Sequence, residues 1–109
     1  MAKMPMEQKV EIFEPKKTYS GSAKTLSQTY APGEVWLGFI QGGGYGVSAY
    51  NSVYLFFASP ENHASYIQLV KGSDSTISAS INTTNRTFTL SCTTTTLNMG
   101  FVRLYGEKE

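Results

Sequence analysis

Apolar residues in this chain recur at every second position far more often than at helical spacing, and a period of two marks strands with one buried face. Gln8 to Phe13 sets Val10 and Ile12 against Lys9, Glu11 and Phe13, and Pro15 ends the run. Glu34 to Gln41 puts Val35, Leu37 and Phe39 on one side and Trp36 and Ile40 on the other. Both sides are apolar, which predicts a central strand, and Ser52 to Ala58 has the same character. Ala64 to Val70 alternates Tyr66, Gln68 and Val70 with Ser65, Ile67 and Leu69. The clearest pair is Thr76–Ile81 with Arg86–Cys92. Ile77, Ala79 and Ile81 join Phe88, Leu90 and Cys92 on one dry face, with hydroxyls opposite and Asn82-Thr83-Thr84-Asn85 as the hairpin loop. Asn98 to Tyr105 closes the pattern, with Met99, Phe101, Arg103 and Tyr105 against Gly100, Val102 and Leu104.

Between these runs stand turn formers: Gly42-Gly43-Gly44, Ser59-Pro60-Glu61-Asn62 and Lys71-Gly72-Ser73-Asp74. Helical recurrence appears in one window, Ser22 to Tyr30, through Ala23, Leu26 and Tyr30. Ser22, Thr25, Ser27 and Thr29 oppose a helix interior there, so Tyr19 to Pro32 reads as a long connection with room for one short strand. About seven short strands and no clear helix predict an all-β chain, a small antiparallel β-sandwich (jelly-roll-like) or a partly closed barrel. It is read as one domain over 1–109, with 1–7 and 107–109 as flexible ends.

Charge narrows the partners. A formal net charge of +1, with 16% charged residues, gives no drive toward nucleic acid or an anionic membrane surface. No apolar run is long enough to span a bilayer, so no membrane insertion is expected. The start MAKMPMEQKVEIF lacks the apolar stretch of a signal peptide, which predicts synthesis in a cytoplasm. A single cysteine, Cys92, excludes an intrachain disulfide and falls on the dry face of its strand as a small hydrophobe.

Candidate chemistry is thin. His63 is the one histidine, follows a turn and has no metal-ligand spacing around it; no metal or cofactor is expected. No G-x-S-x-G elbow marks a nucleophile. Glu34, Glu61 and Asp74 are the carboxylates that could pair for acid–base work, but they stand at three separate strand ends. Gly42-Gly43-Gly44-Tyr45-Gly46 lacks the lysine and hydroxyl of a phosphate loop, and no helix follows it. These observations predict a protein that is not an enzyme.

From Val35 to Pro60 no side chain carries a formal charge, and the run holds the one Trp with several Tyr and Phe. Such a segment is covered either by its own core or by a partner. The expectation is a self-associating structural protein, with Trp36, Phe39, Tyr54 and Phe56 as interface residues. The alternative is a carbohydrate-binding module in which Tyr45, Tyr50 and Asn51 of the glycine-rich loop stack a sugar ring and bond its hydroxyls.

Ser78 to Tyr105 carries the hydroxyl-faced hairpin SASINTTNRTFTLSC, the run Thr93-Thr94-Thr95-Thr96 and a closing strand GFVRLYG. In style it resembles the C-terminal β-domains of bacteriophage tail-fibre and baseplate receptor-binding proteins. That resemblance implies a virion-associated homo-oligomer, trimeric by preference, made in a host cytoplasm and contacting host-surface glycans. Beginning with its own Met, the chain is expected to be a small accessory or capping protein and not a whole fibre.

Overall fold

The computed structural model describes residues 16–42, 50–93 and 95–106. Eight antiparallel strands form two open sheets. The larger runs in the order β1 (Lys17–Ala23), β8 (Leu97–Tyr105), β3 (Val35–Gln41), β4 (Ser52–Ala58), β5 (Ala64–Val70). The smaller is β2 (Thr25–Thr29), β7 (Thr87–Ser91), β6 (Ser78–Asn82). The fold is therefore the sandwich of the two architectures predicted, and neither sheet closes into a barrel. The strand expected over Gln8–Phe13 and the ends 1–7 and 107–109 lie outside the described residues.

The connection expected between Tyr19 and Pro32 is in fact two strands. The chain runs along the edge of the larger sheet as β1, bends at Ser22 (φ 57°) and Lys24, and continues as β2 in the smaller sheet. Leu26 is the one strong aliphatic residue of β2, so the strand shows almost no apolar alternation. Pairing with Phe88 and Leu90 on β7 orders it instead. Thr18 Oγ1 also donates to Gln28 Oε1, tying β1 to β2 across the layers.

Elsewhere the alternation holds. β3 lies in the middle of its sheet, between β8 and β4. Trp36, Ile40, Tyr54, Phe56, Met99 and Phe101 point into the core and meet Phe88, Leu90 and Cys92 of β7 and the residue after it. Ring stacking joins the two layers: Phe101 lies 5.7 Å from Phe56, Phe56 stacks on Phe88 at 4.6 Å, and Phe88 stacks on Tyr30 at 4.2 Å. Aromatic pairs add to burial energy, so this ladder is the main bond between the sheets. Cys92 is buried, and its thiol donates to the Thr95 carbonyl at 2.8 Å.

An ion pair also sits within this dry region. Glu34 and Arg103 are buried and paired at 3.0 Å, and the Glu34 carboxylate also accepts from Trp36 Nε1 at 2.8 Å and from the Ala31 amide at 2.9 Å. Burial pushes the Glu34 carboxyl up, but those bonds and the guanidinium charge outweigh it and hold it below the usual carboxylate range. Glu34 thus fixes the Tyr30–Gly33 turn, through which the chain returns from the smaller sheet to the larger.

Candidate functional site

The register of the larger sheet sets residues from different parts of the chain in rows on its outer face. Tyr19 of β1 stands opposite Gly100 of β8, Gly100 opposite Phe39 of β3, and Phe39 opposite Val53 of β4. One row nearer the sheet end, Asn98 pairs with Gln41. Because Ile40 pairs with Ser52, the next step brings Asn51 beside Gln41. An aromatic row therefore borders an amide row.

Gly100 makes the aromatic row possible. A Cβ at this position would fall 2.5 Å from Cζ of Phe39, so the Phe39 ring lies over the glycine and leans toward Tyr19. The two rings are 6.4 Å apart, tilted by 31°, and Tyr19 is 62% exposed. Asn98 Nδ2 donates to Gln41 Oε1 at 3.4 Å, and Asn51 Oδ1 accepts the Gly42 amide at 3.3 Å. Tyr19, Phe39, Gln41, Asn51 and Val53, with Ile40 and Ser52 beneath, line a cleft of about 520 Å³. Among the described residues no charged side chain lines it. Its chemistry suits a neutral ligand with one apolar face and several hydroxyls: rings take the C–H face, and amides both donate and accept.

Of the residues expected to bind a ligand, Asn51 lines this cleft. Tyr50 does not; it is half-buried and packs against the core. Tyr45 lies outside the described residues. Of the expected interface residues, Trp36, Tyr54 and Phe56 are at most 2% exposed and covered by the chain's own core, so the surface they would offer a partner is already filled. Burial first, then Tyr66, raises the Tyr54 phenol, against a hydrogen bond that its oxygen accepts from Gln68 at 3.0 Å. Phe39, on the opposite face of β3, belongs to the cleft. Tyr19, Gln41, Asn98 and Gly100 complete the arrangement and were not singled out by sequence. Alternation puts Phe39 and Gln41 on one face, but their neighbours come from β1 and β8, and strand order is not written in a local pattern.

The remaining candidates occupy structural positions. A second recess of about 260 Å³ is lined by Lys16, Gln28, Thr29, Tyr30, Ala31, Glu34 and Trp36, where the carboxylate of Glu34 is already held by its donors. Asp74 Oδ1 accepts from the amide and hydroxyl of Thr76. Glu61 is exposed, and His63 is an exposed turn residue whose amide donates to Ser59 Oγ. Among the described residues no three His, Cys, Asp or Glu side chains gather into a metal-binding group, and no helix is long and apolar enough to cross a membrane. Comparison with protein-family models, curated proteins and solved structures finds no match for this chain.

Proposed function

We propose that the chain is a non-enzymatic carbohydrate-binding domain whose site is the cleft between the aromatic row of Tyr19 and Phe39 and the amide row of Asn98, Gln41 and Asn51. The observation that carries this reading is Gly100: without a Cβ, it lets Phe39 lie flat beside exposed Tyr19 within reach of three side-chain amides. The lack of charge points to neutral sugars, and host-surface glycans are the proposed source. Titration with a panel of neutral oligosaccharides, followed by amide chemical shifts, tests it. Tyr19→Ala and Asn51→Ala are each expected to weaken the best ligand by about tenfold, the equivalent of 1.4 kcal/mol. Binding left unchanged by both substitutions would sink the assignment.

A second reading is a self-associating structural protein, such as a virion-associated accessory component. The observation favouring it is the rest of the same outer face, where Val35, Leu37, Leu55, Phe57, Val102 and exposed Leu104 form an apolar surface beyond the cleft.

A further inference from the structure

Among the described residues the two sheets have four edge strands, and three of them are guarded. β2 and β6 are five residues long and carry mostly hydroxyl and amide side chains. β1 carries Lys17, and its pairing is broken between Ser20 and Ala23, where Ser22 turns left-handed. Short edges, charges and irregularities are the usual devices that stop an edge from recruiting another strand.

β5 has neither shortness nor charge. Its seven residues, ASYIQLV, include no charge and no proline, and every one from Ser65 to Val70 is exposed. Its pairing with β4 shifts once, between Gln68 and Val70, but Ala64 to Gln68 stays in unbroken register, a regular stretch whose other side meets no strand among the described residues. Its side chains are uncovered on both faces: Ile67 is 53% exposed and Tyr66 42%. Tyr66 touches Tyr54 edge-on at 5.6 Å, at a place the smaller sheet does not cover.

We infer that β5 pairs antiparallel with β5 of a second copy, joining two five-stranded sheets into one of ten strands. This rests on the self-association reading and names its partner and its edge. Charge at the strand ends selects a second copy. Glu61 lies in the turn that leads into β5 and Lys71 directly follows the strand, so a two-fold axis at Tyr66 brings the acidic end of each strand to the basic end of the other. The same register pairs Ala64 with Gln68 and Ser65 with Ile67, and places the two Tyr66 residues together on the axis. A two-fold contact of this kind closes on itself and stops at the dimer. One added strand pair buries less than the roughly 1,200 Å² of stable complexes, so the dimer depends on concentration.

Light scattering on a sizing column, across a hundredfold range of concentration, is expected to show the mass rising from one chain toward two. Ile67→Lys removes that rise, whereas Ser80→Lys, on the exposed outer face of β6, leaves it intact. Tyr66→Cys gives a disulfide-linked dimer under mild oxidation, because paired strands hold their Cα atoms within disulfide reach and native Cys92 is buried. A rise that persists in Ile67→Lys, or a self-associating Tyr66→Cys that does not cross-link, overturns the edge pairing and leaves self-association standing. A constant mass of one chain overturns both. None of these results bears on sugar binding at the cleft.

Discussion

On the outside of the smaller sheet, Thr25, Ser27 and Thr29 stand beside Ser91, Thr89 and Thr87, with Ser78, Ser80 and Asn82 beyond them. On the outside of the larger sheet, Val35, Leu37 and Phe39 stand beside Phe57, Leu55 and Val53, with Tyr105, Val102 and Gly100 on the other flank. Both faces cover the same aromatic core, and both are uncharged at these positions, with Lys17 the charge at the edge of the second, beside Val102. They differ in what they offer water. The hydroxyl face offers water a hydrogen-bonding group at every position, and its own side chains also pair, as Ser27 and Thr89 do at 2.9 Å. The other face leaves aliphatic and aromatic carbon uncovered, interrupted at one end by Asn98, Gln41 and Asn51. The first is a face suited to solvent. The second departs from that pattern in the way expected of the proposed sugar-binding or self-associating face.

That contrast assumes the faces are the two outsides of one cooperative body, and the hardest test removes the group that fixes the turn between the layers. Glu34→Ala frees the Tyr30–Gly33 turn and leaves the Arg103 charge buried, which is expected to cost about 3–5 kcal/mol. In urea unfolding, Trp36 fluorescence and far-ultraviolet circular dichroism should shift together. Separate transitions would mean that the sheets unfold independently and that the contrast compares two units. Acid should act on the same bond. The folded Glu34 carboxyl lies below its ordinary value, so its contribution is complete above about pH 4.3 and is lost as pH falls through the folded value. Glu34→Gln should flatten that acid limb.

Much of this architecture is legible in the sequence because it is local. Alternation in Thr76–Ile81 and Arg86–Cys92 assigns both faces of the hairpin, and two-sided apolar character identifies β3 as central. β1 and β2 escape because hydroxyl strands carry too few apolar residues to stand out from a loop. The cleft escapes for another reason. Its rows join Tyr19, Phe39, Asn51 and Asn98 across four strands, and only the order β1-β8-β3-β4 brings them together. Glu34 and Arg103 are 69 positions apart, so each alone reads as an ordinary charged residue at a strand end.

A smaller change sharpens the contrast from the recognition side. Gly100→Ala puts a methyl where the Phe39 ring lies, with the Thr18 carbonyl 3.3 Å away on another side. Phe39 is on the outer face and can swing outward, so the cost is expected at the low end of the roughly 1–3 kcal/mol of overpacking. The moved ring no longer lines up with Tyr19, and affinity for the best neutral oligosaccharide should fall by more than the melting temperature suggests. Full affinity in a destabilised Gly100→Ala would show that the aromatic row is packing and not a platform.

The smallest effect belongs to the hydroxyl face. Thr89→Val keeps the shape and the β-branched preference for strand while removing the hydroxyl that pairs with Ser27. Ser27 is exposed and turns to water, so no buried group is left without a partner, and stability should change by less than about 0.5 kcal/mol in a urea titration. Sugar binding and the mass in solution should not move at all. A loss above about 1 kcal/mol would mean that the hydroxyl pairs hold β2 to β7, and the face could no longer be taken as the measure of a surface shaped by water alone.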